Sequence, residues 1–353
     1  MIENNETLLI IGEGTTEYLV NEIVKINTKS KAELYGIDSD IYHCFCDAQD
    51  IGAKNIYILN MIYYTDYPLV VNALVQNDFT YIVPTNGFLS STIIAKLHRT
   101  TKKFVPEVVL DMQKDTDEYI YKEMYLGEYL LANIRKNNKS TIFMTDIHAS
   151  LYENIDAFID DMESKIKNFK RKSFYKNAFG RNLCFVSSNL RKYRYGNVVA
   201  ASMLCSSNYN KYPKYDCGDS IFDIDKHDVK SKEFVFFKYN IVRETTLENF
   251  HNFRVQDDSV KFVPIDRCIK YIERHLDLSE FCGKLYNDYL RMAIVEALNI
   301  QLESMRNIVL RDFRVTDCKF VKHKNFTVTV LNAITVVPIN SLESYRIEYE
   351  VQI

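Results

Sequence analysis

Apolar positions along the chain follow two rhythms. In the first two thirds, short unbroken apolar runs alternate with segments of helical period. Residues 7–11 (TLLII) are continuous in this way, as a strand covered on both faces requires. A short helix is expected over 30–35, stopped by Gly36, and a second over 39–51, stopped by Gly52. Strands are expected at 55–59 (NIYIL), 81–83, 107–112, 141–146 and 183–187 (LCFVS). Helices are expected between them at 67–75, 92–98, 118–136 and 151–170. Such alternation implies an α/β region: a mixed, mainly parallel sheet with helices on its faces.

After residue 215 the rhythm changes. A strand over 233–242 (EFVFFKYNIV) precedes a helix over 265–276, with Pro264 and Asp266 well placed to start it. A further helix over 284–304 carries Leu285, Tyr289, Met292, Ala293, Glu296, Ile300 and Glu303 at helical spacings, apolar through its centre. Strand runs at 308–315, 326–337 and 344–353 close the chain, giving an α+β C-terminal domain. The expected organisation is therefore 1–215 and 216–353, with 62–190 as a separate outer subdomain of the first. The last run alternates strictly: Tyr345, Ile347, Tyr349, Val351 and Ile353 share one face, and Arg346, Glu348, Glu350 and Gln352 the other. It reads either as the last strand of the subunit's own sheet or as a subunit-contact strand added to a neighbour's sheet. Periodicity alone leaves both open.

Composition narrows the function classes. The 353 residues carry 44 basic and 47 acidic side chains, a net charge of -3, so concentrated positive charge for nucleic acid is absent. Small basic clusters do occur, such as Lys167 to Lys172. No apolar run is long enough to span a membrane, and Met1–Glu6 is acidic and polar, unlike a signal peptide. The eight cysteines are scattered and read as reduced, buried small hydrophobes.

Candidate chemistry is sparse. Gly12-Glu13-Gly14 follows the first strand like the opening of a dinucleotide loop, but Glu17 stands where the third glycine belongs. No Gly-Lys-Ser/Thr cradle for phosphate follows either, so the glycines are expected to serve a sharp turn through φ > 0. Cys44 and Cys46 lack a second pair at zinc spacing, and on a helix they point about 200° apart. Asp223, Asp225, His227 and Asp228 form the most metal-like cluster, yet the glycine and distal acid of a calcium loop are missing, so a solvated acidic loop is expected. Asp160 and Asp161 read as an exposed helix face. Ser187-Ser188 and Ser206-Ser207 lack a nucleophile elbow, and His98, His148 and His275 have no sequence companions. No catalytic, cofactor-binding or metal-binding residue is assigned.

Three stretches resemble contractile-tail sheath proteins, the subunits of the outer tube of contractile phage tails and related injection particles such as R-type bacteriocins. The close of the chain, FTVTVLNAITVVPINSLESYRIEYEVQI, is similar to the family's ending, with Val336, Pro338, Ser341-Leu342-Glu343 and the alternating arm in place. Upstream, Arg243, Thr245, Asp266, Arg267 and Ile269 fill the family's strand-then-helix pattern. Near the start, Asn21, Glu22, Val24, Ser30, Glu33, Tyr35, Gly36, Gly52, Ala53 and Tyr57 resemble its first core unit, and 198–202 (VVAAS) its small-residue helix.

The resemblance implies a non-enzymatic structural subunit of a virion tail, without cofactor, that polymerises as stacked hexameric rings around an inner tube. On contraction it would drive that tube into the target cell for genome ejection. Its implied partners are further copies of itself, the inner tail tube protein, and baseplate and tail terminator proteins, with assembly in the bacterial host cytoplasm. Only Met1–Glu6 precedes the first expected strand, short for the family's N-terminal arm at about 3.4 Å per residue. A sheath-like cap, collar or baseplate paralogue is therefore the alternative, and an α/β enzyme binding a small ligand at the Gly12 loop the alternative from another class.

Overall fold

The computed structural model describes residues 5–61, 77, 79–85, 93–98, 103–108, 141–148, 152–172, 183–208, 213–221, 234–239, 245–248, 263–281, 284, 287–316, 319–322, 328–331 and 334–338. The chain divides into two units, Glu3–Asn208 with Pro213–Lys261, and Tyr209–Tyr212 with Phe262–Ile353.

The first unit opens with β1 (Leu8–Gly12), β2 (Ile23–Ile26) and α1 (Lys29–Ala32), which runs into one 3-10 turn at Glu33–Tyr35. Then come α2 (Asp40–Ile51), β3 (Ile56–Asn60), β4 (Tyr81–Pro84), β5 (Ile93–His98), β6 (Lys103–Val108) and β7 (Ile142–His148). α3 (Ile155–Lys172), β8 (Leu183–Ser188) and α4 (Gly196–Ser206) follow, with short strands β9 (Lys214–Tyr215), β10 (Phe236–Tyr239) and β11 (Thr245–Glu248). The second unit holds α5 (Val263–His275), α6 (Asp288–Ser304), β12 (Leu310–Val315), β13 (Lys319–Lys322), β14 (Val328–Leu331) and β15 (Ile334–Pro338).

Six strands make one sheet in the order β2-β3-β1-β4-β7-β8, parallel throughout except for β2. β1 lies between β3 and β4, with Leu8 opposite Ile56 on one side and Tyr81 on the other. All five β1 residues are buried, so the unbroken apolar run matches a strand covered on both faces. Beyond β8, Val235 continues the sheet: Ser187 N–H donates to its carbonyl at 2.9 Å and its own N–H donates to Phe185 O at 2.9 Å.

Local sequence signals explain the helices that cover the sheet. The Ser39 hydroxyl accepts the Tyr42 N–H at the start of α2, and Gly52 closes it in a left-handed conformation at φ 105°. Ile41, Cys44, Phe45, Ala48 and Ile51 recur at helical spacing and form its buried face, packed on β1, β3 and α4. α4 is buried from Gly196 to Cys205; its glycine, alanines and serine let it settle closely on β1, β4, β7 and β8. α3 buries Ile155, Phe158, Ile159, Met162 and Ile166, and Phe158 meets Phe234 and Phe236 edge-on at 6.1 and 6.0 Å.

In the second unit, Cys268 and Ile272 of α5 pack with Leu302 of α6 and with Met305, Val309 and Leu310, with Phe313, Ile334 and Val336 against them. Ile294 and Leu298 extend this face of α6. β12 pairs antiparallel with β15, and β13 with β14.

Several expectations are corrected. Within the helix expected at 92–98, Ile93–His98 is instead a strand paired antiparallel with Lys103–Val108. Its β-branched Ile93 and Ile94 suit a pleated surface, and a short link to a second apolar run makes a hairpin the nearer option. Of the strand expected at 107–112, Glu107 and Val108 lie in β6 and 109–112 lie outside the described residues. The run 326–337 is two strands with different partners, β14 on β13 and β15 on β12. β2 was not read from the sequence at all; it enters after Leu19 and Asn21, both at positive φ (45° and 62°), and pairs antiparallel with β3. On α6 the buried positions are Ile294, Leu298 and Leu302, whereas Tyr289, Met292 and Ile300 are exposed. The helices expected at 67–75 and 118–136 lie outside the described residues.

Candidate functional site

In an open, mainly parallel sheet, ligands bind past the carboxyl ends of the strands, where the strand order reverses. Here that point lies between β1 and β4, since the chain leaves β1 for β3 and returns on the opposite side to form β4. The place is filled by the chain itself. Thr85 N–H donates to Ile11 O and Met61 N–H to Gly12 O, both at 2.8 Å. From the first turn of α4, the wholly buried Asn197 donates its side-chain amide to Pro84 O at 2.9 Å and Met144 O at 3.1 Å. It thereby ties the end of β4 and the middle of β7 to the helix that covers them.

The positive end of α4 would suit an anionic ligand. It is met instead by an internal carboxylate. Asp146, at the end of β7, accepts the Gly196 N–H at 3.2 Å and the Ser188 hydroxyl at 2.6 Å, in a site where Asp146 is 6% exposed. A buried acid facing a helix N-terminus gains both hydrogen bonds and dipole stabilisation, so the arrangement reads as a structural cap.

The Gly12–Glu17 loop is closed in the same manner. Gly14 N–H donates to Asn60 Oδ1 at 2.8 Å, and Asn60 Nδ2 donates to Thr16 O and Tyr18 O, both at 3.1 Å. Thr15 N–H donates to Tyr35 O at 2.9 Å, so these amides already have partners where a phosphate would need them. The glycines do not serve φ > 0, which among the described glycines is found at Gly36, Gly52 and Gly218. They serve close approach. A Cβ on Gly12 would fall on Thr85 Oγ1 and 2.9 Å from Ile41 Cγ1; one on Gly14 would sit 2.8 Å from Tyr35 O.

Outside this loop lies an open cleft of about 510 Å³, lined by Glu13, Gly14, Thr15, Thr16, Glu17, Asp38, Ser39 and Asp40. Burial raises the Glu13 carboxyl above its ordinary pKa. Asp40 pairs with Arg194 at 2.8 Å, whose guanidinium lies 5.3 Å over the Tyr195 ring. Four carboxylates in one cleft repel phosphate, which removes the nucleotide reading of this loop on chemical grounds.

The remaining candidates disperse. Cys44 is buried on α2, where burial pushes its thiol pKa well up, and Cys46 is half-buried. Ser187 and Ser188 are buried in the strand-end network, and the Ser206 and Ser207 hydroxyls donate to Met203 O and Leu204 O of their own helix. His275 Nδ1 contacts Tyr271 O at 2.8 Å, with the two rings stacked. Asp160 is exposed, and Asp161 accepts the Tyr152 hydroxyl. His98 and His148 fall on β5 and β7. No group of three or more potential metal ligands occurs among the described residues. Asp223, Asp225, His227 and Asp228 lie outside them, as do Tyr345, Ile347, Tyr349, Val351 and Ile353. Sequence reading missed Asn60, Asp146 and Asn197; for the first two the available signal was a polar residue following an apolar strand run (NIYILN, TIFMTD).

No family model matches the sequence, and no curated protein matches it. Solved structures do. A chain of the anti-feeding prophage (AFP) baseplate, in its six-fold symmetrised cryo-EM structure, matches over 99% of this chain and 94% of its own, with 10% identity and a TM-score of 0.59. A chain of the AFP baseplate in the contracted state matches over 99% and 95%, again with 10% identity and a TM-score of 0.59. The sheath tail protein Lin1278 from Listeria innocua aligns over 96% of both chains at a TM-score of 0.42 and 10% identity. This chain thus has the fold of a chain of a contractile particle, as the resemblance read from its sequence implies.

Proposed function

We propose that the protein is a structural subunit of a contractile tail or injection particle, a sheath protein that polymerises around an inner tube. The observation that carries this reading is a fold shared over 99% of the chain with a chain of the AFP baseplate, a particle seen also in a contracted state. The self-filled crevice past β1, β4 and β7 supports it, because the place where this architecture commonly holds a ligand is spent on internal hydrogen bonds.

On this reading copies stack as hexameric rings through head-to-tail contacts, which propagate rather than close. The extended lattice is metastable and relaxes by rigid rotation of subunits, so its energy is stored at assembly and no nucleotide is consumed. The strand 344–353 is the tether, adding to a neighbour's sheet through Tyr345, Ile347, Tyr349, Val351 and Ile353. Its backbone bonds are each worth about 0.5–1.5 kcal/mol net. The further partners are the inner tail tube, baseplate and terminator proteins, and the location is the tail of a particle assembled in a bacterial cytoplasm. Within this scheme 1–215 is the α/β region, to whose sheet 62–190 contributes β4, β7 and β8, and 216–353 is the domain that carries the arm. Because the matched AFP structures are of a baseplate, a sheath-like subunit that ends the stack is the second reading.

Deleting 344–353 tests the proposal. The truncated chain should keep its circular dichroism and melting curve but lose sedimentation as a polymer. Unfolding on deletion would place the strand in the subunit's own core, and unchanged polymerisation would remove its role as a tether.

A further inference from the structure

Of the exposed large hydrophobic side chains among the described residues, Tyr18, Leu34 and Ile37 gather at one place in the first unit, 37%, 46% and 58% exposed. Chain continuity and hydrogen bonds set them around the cleft. Tyr18 follows Glu17, Ile37 precedes Asp38, and the Thr16 hydroxyl donates to Leu34 O at 2.5 Å. Tyr18 also packs edge-on against Tyr35 at 5.2 Å. Exposed apolar side chains thus neighbour, along the chain, the cleft that holds Glu13, Glu17, Asp38 and Asp40. Such a surface fits a partner that brings positive charge into the cleft on apolar stems, as lysine and arginine side chains do.

The same unit carries the complement at its other end. The cleft lies past Gly12, at the carboxyl ends of the parallel strands. α3 joins β7 to its parallel neighbour β8 and must therefore run back along the sheet, over about 27 Å for its 18 residues. Its last turns bear Lys167, Lys170, Arg171 and Lys172, the densest basic run among the described residues, with Lys167 exposed. That run stands by the amino ends of the strands. The first unit thus carries an acidic cleft past the carboxyl ends of its strands and a basic helix end by their amino ends.

We propose that the cleft at Glu13, Glu17, Asp38 and Asp40 receives the basic end of α3 from a second copy, so that the first units of successive subunits dock head to tail. The inference rests on the reading of the chain as a self-assembling subunit. A contact joining opposite ends of one body is heterologous and propagates. Because its charges lie near water, added salt weakens it.

Mutual charge exchange tests it. One variant carries Glu17→Lys and Asp38→Lys, both at exposed positions away from the Asp40–Arg194 pair; the other carries Lys167→Glu, Lys170→Glu and Lys172→Glu. Each alone should keep its melting curve and raise the concentration needed for assembly at least about tenfold, while an equimolar mixture, which restores opposite charges at every junction, should recover assembly. The native chain should also assemble less as salt rises. If the native chain assembles but either variant assembles equally well, or the folded pair fails to rescue in mixture, the docking assignment is overturned and the structural reading stands. Loss with the cleft variant alone would show a different occupant and overturns it likewise. If a variant does not fold, assembly of the native chain that is insensitive to salt overturns it. A native chain that stays monomeric under all conditions overturns the structural reading and this inference together.

Discussion

Replacing Gly12 by alanine tests whether glycine is there for space or for backbone freedom. A methyl at this position would fall on Thr85 Oγ1 and 2.9 Å from Ile41 Cγ1, at the buried carboxyl end of β1. Overpacking of this kind costs about 1–3 kcal/mol, and 2 kcal/mol is roughly a thirtyfold change in the ratio of folded to unfolded protein. Thr85 is wholly buried and its hydroxyl finds no partner among the described residues. Its replacement by alanine removes Oγ1, the closest of the clashing atoms, together with Cγ2 and an unpaired polar group, and should change stability by less than about 1 kcal/mol. The double variant Gly12→Ala/Thr85→Ala should then recover most of the loss, a coupling of about 1–2 kcal/mol in a double-mutant cycle. Urea denaturation followed by circular dichroism, run on all four proteins, reads this directly. A neutral Gly12→Ala, or a loss that Thr85→Ala does not relieve, would refute the close-approach argument.

Three further outcomes are expected. Asn60→Leu removes three hydrogen bonds and strands the buried Gly14 N–H, so it should lower stability by about 2–4 kcal/mol in the same assay and open the 13–22 loop to proteolysis. Burial, helped by nearby Asp50, raises the Asp47 carboxyl to about 6. The native state therefore holds this proton longer than the unfolded chain does, and its contribution falls as pH rises from about 4 through about 6. Asp47→Asn should stabilise the fold by about 1–2 kcal/mol at pH 7 after screening, and by nothing measurable near pH 4, as read from melting curves at both values. Millimolar ATP or NAD should leave the melting temperature unchanged, because the Gly14 and Thr15 amides are already bonded; a clear rise would revive a nucleotide site.

What the sequence revealed followed from burial on both sides. The runs LLII, YIV and CFV are apolar throughout because helices or neighbouring strands cover every residue, and period and position were therefore plain. Ser39, Gly36 and Gly52 punctuated α1 and α2 by local chemistry that tertiary contacts did not override. Segment 93–98 was misread because its apolar pattern fits either period and only its antiparallel partner settles the matter. β2 was invisible because a four-residue edge strand with exposed Lys25 carries little apolar signal, and its entry depends on positive φ at Leu19 and Asn21. The closed crevice could not be read from the chain, since Asn60, Asp146 and Asn197 each act on backbone far away in sequence. The basic end of α3 was visible as a cluster, but its opposition to the acidic cleft follows from topology alone.

The central claim is that this chain is built to polymerise. Negative-stain electron microscopy of the purified native protein, at rising concentration and alone in solution, tests it most directly. Tubes of stacked six-fold rings are the predicted result, and single six-fold rings would select the stack-ending reading. Dispersed monomers at every concentration would contradict the account.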